Sequence, residues 1–208
     1  MYRKFALGVS VAFQPLLIPS MMVLTLFYIV PEATVVPGEA KWSISLLVGF
    51  TTFLVPLLGL AGMRFSDLIH SFHLPDRRER LVPFALVSVF YCMTSGFFYW
   101  KLNIDQLLIA TLGLATFSLM ALTLVTYFWK ISAHQTALGG WVALVAVLSE
   151  KFYSPPMFYY LLLIIVISGL VGSARLYLNA HKPSEVYAGF VLGFGINFSV
   201  LHSLMVAA

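Results

Sequence analysis

Residues 105–129 read DQLLIATLGLATFSLMALTLVTYFW, and their single charged residue is Asp105 at the first position. An apolar run of about 20 residues is the length that an α-helix needs to cross the hydrocarbon core of a bilayer. The run is about twice as long as a strand of a transmembrane barrel, and its apolar residues do not alternate with polar ones. This stretch therefore predicts a transmembrane α-helix.

Runs of the same kind recur along the whole chain. Of its 208 residues, 61% are hydrophobic and only 10% are charged, with a mean hydropathy of +0.95, whereas a soluble domain carries about 25% charged residues. Seven apolar segments can be marked, at roughly 5–30, 43–63, 82–100, 105–129, 135–149, 156–178 and 185–206. No hydrophilic block between them is long enough for a soluble domain. We therefore expect one integral membrane domain over residues 1–208, an all-α, polytopic transmembrane helical bundle of six or seven helices.

The first segment decides between six and seven helices. Its beginning, MYRKF, resembles the charged head of a signal peptide, but no clear small-residue cleavage site follows, so we expect a retained membrane segment. Gln14, Pro15 and Pro19 favour a break within it, because proline interrupts a helix. A broken segment either kinks and crosses the membrane or returns to the same face, and the residues leave both possibilities open.

Three polar loops are expected at one face of the membrane. Two predicted spans separate residues 64–81 from residues 130–134, and two more separate these from residues 179–184, so an even number of crossings returns the chain to the same side. The basic residues of that face are Arg64, Arg77, Arg78, Arg80, Lys130, Arg175 and Lys182. Such a cluster suits an anionic ligand. Since ligand-binding residues carry charge for their own reason, they confound the positive-inside rule, and the orientation stays open.

The same loops carry residues that suit phosphate chemistry, and ionisable residues at the mouth of a span are functional candidates because they need compensation. A neutral His181 suits attack on phosphorus if Glu185, four residues on, orients its other ring nitrogen. A protonated His134 suits donation to the departing alkoxide. Arg175 offers phosphate a fork of donors, and Ser132 precedes a helix start that attracts anions. Arginines and helix ends stabilise the developing charge, so no metal or other cofactor is required.

Two motifs in this region resemble those of the type 2 phosphatidic acid phosphatase superfamily, the membrane lipid phosphate phosphatases. The second and third motifs of that family read P-S-G-H and S-R-x(5)-H-x(3)-D. Residues 131–134 read ISAH, which keeps serine and histidine. Residues 174–185 read ARLYLNAHKPSE, which keeps arginine, histidine and the spacing but replaces serine by alanine and aspartate by glutamate. The resemblance covers roughly residues 64–195.

The resemblance implies a metal-independent enzyme that hydrolyses a phosphate or pyrophosphate monoester of a lipid through a phosphohistidine intermediate. On the matching positions, His181 is the nucleophile, His134 and Glu185 are the other catalytic residues, and Ser132 and Arg175 bind phosphate. The departures from the family's motifs leave room for an attenuated, altered or lost activity.

The first motif of the family, K-x(6)-R-P, does not match in spacing. Its place, two spans before the second motif, is taken by residues 76–83, which read DRRERLVP and supply arginines and a proline. Arg77, Arg78 and Arg80 are therefore candidates for binding phosphate.

Other interpretations stay open. A non-catalytic protein that binds or carries a lipid phosphate would keep the pocket without the chemistry. A secondary transporter would place broken helices or paired acidic groups near the bilayer midplane, whereas the charges here cluster at the span mouths. Asp67, His70 and His73 lie at helical spacing and could bind a metal, but in a loop rich in arginine we interpret them as solvated or paired.

The expected partners are a lipid phosphate substrate and the lipid bilayer, without nucleic acid. We expect a multi-pass protein of a bacterial inner membrane. Phosphatidate, phosphatidylglycerol phosphate, an isoprenyl pyrophosphate and a phosphorylated lipid A all place a phosphate at the depth of these loops, so the residues do not identify the lipid. The oligomeric state is not predicted.

Overall fold

The computed structural model describes residues 2–69 and 76–207; it is 86% helical, and these residues contain no strand. These residues form seven continuous helices, some of them divided below at 3-10 or π-helical turns, and six of the seven are long and apolar enough to cross a membrane. The predicted all-α transmembrane bundle is confirmed, and the chain is a multi-pass membrane protein.

The helices follow the predicted apolar segments closely. The described α-helices are α1 Tyr2–Ala12, α2 Ile18–Leu24, α3 Gly38–Gly49, α4 Val55–Phe65, α5 Leu81–Phe97, α6 Gln106–Phe128, α7 Ala133–Lys151, α8 Pro155–Tyr177 and α9 Pro183–Ala207. A π-helical turn at Phe50–Leu54 joins α3 to α4, so the two cross as one unit. At 1.5 Å per residue, α7 is about 28 Å long, which is close to the thickness of the hydrocarbon core.

The first segment is broken where its prolines predict a break. Gln14 has extended backbone angles, φ −66° and ψ 146°, because the ring of Pro15 disfavours the helical conformation at the residue before it. A 3-10 turn at Pro15–Leu17 then leads into α2. Arg3 lies beside the end of α8, and Ser10 lies beside the start of α7. Helix α1 therefore begins and ends at one face, and the part after the break makes the crossing.

Helix α7 is central, with most of its side chains buried, and its most extensive contact is with α9. The two helices touch through residues spaced four apart, in the pairs Ser132 with Gly189, Thr136 with Gly193 and Gly140 with Asn197. A Cβ on Gly189 would lie 2.6 Å from the carbonyl oxygen of Ser132, and one on Gly193 would overlap the carbonyl of Thr136. Small residues permit this close backbone approach. The resulting register holds the starts of α7 and α9 side by side.

The three polar loops meet at one face of the bundle, which we call the site face. The backbone N–H of Ser132 donates to the carbonyl of Glu185 at 3.0 Å, and the guanidinium of Arg77 donates to the carbonyl of Phe128. Contacts at the opposite face are those of Lys41 with Phe27, Val35 with Asp105 and Lys151 with Met205. The even number of crossings expected from the sequence is present.

Candidate active site

A left-handed turn after α8 delivers His181 to the site face. Asn179 has a φ of 53°, a conformation in which many helices end. The amide of Ala180 then donates to the carbonyl of Arg175 at 3.1 Å and closes the last turn. Pro183 opens α9, at a position where the missing N–H of proline is not needed. His181 is therefore held in a short connection between two helix ends.

Glu185 lies in the first turn of α9 and orients His181. Its Oε2 accepts from the ring Nδ1 of His181 at 2.8 Å and from the backbone N–H of Lys182 at 3.2 Å. The second bond resembles a capping box, in which a glutamate reaches back to the N-cap amide, and negative charge is favoured at a helix N-terminus. Both His181 and Glu185 are buried. The carboxylate is thereby fixed relative to the ring.

The tautomer of His181 follows from its two neighbours. Arg80 Nη1 lies 3.5 Å from Nε2 of the ring, and because a guanidinium only donates, Nε2 carries the lone pair. The proton is then on Nδ1, which donates to Glu185. Burial, together with the cations Arg80 and Arg175, lowers the pKa of His181 to about 4, and the hydrogen bond with Glu185 opposes this shift. The ring is neutral at pH 7, with its lone pair on Nε2.

His134, in the first turn of α7, lies close to this group. Its Nε2 is 3.1 Å from the carbonyl oxygen of Ser10 in α1, and because a carbonyl only accepts, Nε2 carries a proton. The ring is near enough to Arg175, His181 and Arg80 to interact with them electrostatically. Helix α1 thus supplies a backbone acceptor to one of the two histidines.

Cations from three loops crowd the site face. Burial and the nearby Arg80 are the two largest causes that lower the pKa of Lys130, and Arg175 lowers it further, while Glu185 and Asp76 oppose them. This repulsion shows that the three cations lie within electrostatic range of one another. A bound anion would relieve it.

The side chains of Arg80, His134, Arg175 and His181 line one cavity of about 340 Å³, a volume within the range of small-molecule sites. They lie at or next to helix ends on the site face and form the polar end of the cavity, which we call its mouth. Below them the wall is mostly apolar, with Leu16, Met22, Phe84, Val87, Ala115, Leu119 and Leu122 among its residues. A charged mouth above an apolar shaft fits an amphiphilic molecule with an anionic head.

Three buried polar atoms of the described residues have no hydrogen-bond partner, and all three belong to residues that line this cavity. They are Ser10 Oγ, Arg175 Nε and Asn197 Oδ1. A buried polar atom without a partner costs about 1–3 kcal/mol. Their concentration in one cavity favours it as the candidate ligand site.

Only two of the five residues predicted to bind phosphate line the cavity. Arg80 and Arg175 lie in the cavity wall. Ser132 is fully buried, and its Oγ accepts from the amide of Gln135 at 3.5 Å as the N-cap of α7. Ser132, Arg77 and Arg78 are not among the described residues that line the cavity. Arg77 binds the carbonyl of Phe128 instead, and Arg78 is exposed.

The structure describes only one of the three residues considered above as metal ligands, so the described residues alone do not form that site. Asp67 is exposed and pairs with Arg64 at 3.6 Å, while His70 and His73 lie outside the described residues. Within residues 2–69 and 76–207, no three His, Cys, Asp or Glu residues are placed to share a metal ion.

Sequence reasoning missed three polar residues of this site. Lys130 was counted only as a cation of the face, and Ser10 and Asn197 were not singled out at all. A signal for Asn197 was present, because an amide inside an apolar transmembrane run is unusual and needs a partner. Ser10 carried no such signal, since its position depends on the break that turns α1 back along the site face.

Comparison of the chain with protein-family models, with curated proteins and with solved structures found no match. The resemblance to the lipid phosphate phosphatases therefore rests on the motifs quoted above, and the function has to be argued from the geometry.

Proposed function

We propose that this protein hydrolyses a phosphate or pyrophosphate monoester of a membrane lipid, with His181 as the nucleophile and without a metal ion. One combination supports this best: a neutral imidazole oriented by Glu185 lines the same cavity as an unsatisfied guanidinium atom, Arg175 Nε. An anion that accepts a hydrogen bond from Arg175 Nε would lie in the same cavity as Nε2 of His181, which carries the lone pair. The apolar shaft below accommodates the hydrophobic part of the lipid.

The reaction takes two steps. In the first, Nε2 of His181 forms a bond to phosphorus as the bond between phosphorus and the leaving oxygen breaks. Glu185 stabilises the positive charge that develops on the ring, and Arg80 and Arg175 stabilise the charge on the phosphoryl oxygens. In the second, water attacks phosphorus and gives a proton to His134, which the first step left neutral; the P–N bond breaks, and inorganic phosphate leaves with the ring of His181 restored.

His134 is assigned to protonate the leaving oxygen in the first step. Its Nε2–H is engaged by the carbonyl of Ser10 in this conformation. The acid form of His134 is the imidazolium, which carries a second proton on Nδ1, and that proton passes to the leaving oxygen while Nε2–H stays on Ser10. The contact with α1 orients the ring for this role.

The same contact is the observation that favours the alternative function. If His134 stays neutral, its one ring proton is engaged by Ser10 and none is left for the substrate, which suits a non-catalytic protein that binds or carries a lipid phosphate. Such a protein uses Arg80 and Arg175 for the head group and releases the lipid unchanged. Turnover separates the two functions, because a carrier binds the lipid phosphate saturably and releases no phosphate.

The test is release of inorganic phosphate by the detergent-solubilised protein from the four lipids named above, with and without a chelator. The expected result is release from at least one lipid, unaffected by the chelator. His181→Ala should lower the rate at least about a thousandfold. His202→Ala is the matched control, because His202 pairs with Glu150 at the opposite face, and it should keep the wild-type rate. Equal rates for both variants would refute the assigned nucleophile.

The proposed location is a bacterial inner membrane. Outer-membrane proteins of bacteria span as β-barrels, whereas the described spans are helices. Fractionation of the two membranes of a host cell tests this directly, and recovery in the outer membrane would contradict it.

A further inference from the structure

Asn197 lies deep in the cavity, far from the phosphate-binding mouth. It is 1% exposed and follows Glu185 by twelve residues along α9, which is about 18 Å along a helix axis. Its Nδ2 donates to the carbonyl of Gly193 at 2.8 Å and to Ser118 Oγ at 2.9 Å. Because the carbonyl of Gly193 only accepts, Nδ2 must face it, and the orientation of the amide is fixed.

The fixed orientation leaves Oδ1 of Asn197 without a hydrogen-bond partner among the described residues. Asn197 lines the cavity together with mostly apolar residues, among them Val87, Ala115 and Leu119. An amide oxygen in such surroundings only accepts, so a group that satisfies it must be a donor. The cavity therefore has a second polar point, which is complementary to a donor and not to an anion.

The mouth and the deep acceptor have opposite requirements. At the mouth, the cations Arg80 and Arg175 favour a negatively charged group, and the N–H of Arg175 Nε has no acceptor. Deeper in the apolar part of the cavity, Asn197 Oδ1 has no donor, and an uncharged donor suits it best. A hydroxyl on the hydrophobic chain of the lipid meets the second requirement while the phosphate meets the first.

We infer that Asn197 Oδ1 is a specificity-determining acceptor for a hydroxyl carried on the hydrophobic chain of the lipid phosphate. This inference rests on the proposed function for the position of the phosphate. It narrows the substrate class to lipids whose chain bears a hydroxyl at one depth, and it predicts discrimination against the same chain without it.

Hexadecyl phosphate and its positional hydroxy isomers provide the test, because they differ only in the place of one donor. The wild-type protein should show a kcat/KM about three- to tenfold higher for one isomer, or for two adjacent ones, than for hexadecyl phosphate, as one net hydrogen bond allows. Asn197→Leu should abolish that preference. Ser118→Ala is the matched control, because it removes a partner of Nδ2 and lowers the melting temperature but should keep the preference.

Binding of the same lipids, followed by the shift in melting temperature, separates failure of this inference from failure of the proposed function. If no alkyl phosphate is hydrolysed but one hydroxy isomer stabilises the protein more than hexadecyl phosphate does, the inference stands and the phosphatase proposal fails. If every isomer matches hexadecyl phosphate in both measurements, water alone satisfies Oδ1 and the inference is overturned. The measurements on the wild-type protein with this set of lipids test the inference even if Asn197→Leu does not fold.

Discussion

The ring Nδ1 of His181 lies 2.8 Å from Oε2 of Glu185, one helical turn further along the chain. The bond holds the ring proton on the side away from the cavity, so that the lone pair of Nε2 is on the side of Arg80. Both residues are buried. This pair converts an ordinary histidine into an oriented, neutral imidazole beside a cluster of cations.

Glu185→Gln tests the charge of that pair. Glutamine keeps an acceptor for Nδ1 but not the negative charge that stabilises a positively charged, phosphorylated ring. We expect kcat to fall on the order of a hundredfold, within the range of such effects, with a smaller change in KM. Glu150→Gln is the control, because Glu150 pairs with His202 at the opposite face, and its kcat should be unchanged. Equal kcat values for the two variants would remove Glu185 from the mechanism.

Arg175→Gln tests the anion site. The variant removes the guanidinium whose Nε is unsatisfied in the cavity, so we expect KM for a lipid phosphate to rise about tenfold to a hundredfold, as loss of a charged hydrogen bond allows. Arg78→Gln is the control, because Arg78 is exposed and outside the cavity lining. A KM that rises equally in both variants would point to a general attraction of the basic face instead of a bound phosphate at Arg175.

The protonation state of His181 gives a prediction that needs no substrate. Because its pKa is lowered to about 4, from an ordinary value of about 6.5, the ring is neutral at pH 7 and stays neutral on acidification to pH 5.5. Its modification by diethyl pyrocarbonate, mapped by mass spectrometry, should therefore change little over that interval. The reagent attacks neutral imidazole, so N-acetylhistidine in the same tube should slow roughly eightfold. A parallel slowing of His181 would show that its pKa is ordinary.

The close approach of α7 and α9 predicts a pair of glycine variants with opposite outcomes. A Cβ on Gly193 would overlap the carbonyl of Thr136, whereas one on Gly195, two residues on, meets no atom within 4 Å. We expect Gly193→Ala to destabilise the protein by about 1–3 kcal/mol or more, measured as a lower melting temperature in detergent. Gly195→Ala should keep or raise the melting temperature, since alanine favours a helix. Similar melting temperatures would contradict the packing described here.

The spans were predictable because bilayer thickness sets their length. The run at 105–129 became α6, Gln106–Phe128, within one residue at each end. The break near Gln14 was also readable, since Pro15 restricts the residue before it. The position of α1 along the site face could not be predicted in this way, because it depends on packing against α8. That is why Ser10 was missed.

The site was predictable where residues are neighbours along the chain and not where they meet through packing. The spacing of four between His181 and Glu185 anticipates their contact, which the structure contains. No local pattern distinguishes Arg80 from Arg77 and Arg78. The 3-10 turn at Arg78–Arg80 buries the last of them against His181 and leaves Arg78 exposed. Which arginine enters the cavity is therefore a property of the turn.

The central claim is a covalent bond between phosphorus and Nε2 of His181. The most direct measurement is a rapid alkaline quench of the protein during turnover of a ³²P-labelled lipid phosphate, followed by mapping of the labelled peptide. The account predicts a phosphohistidine at position 181 that forms before free phosphate appears, persists in His202→Ala and is absent from His181→Ala. Steady release of phosphate with the label on another residue, or on none, would contradict it.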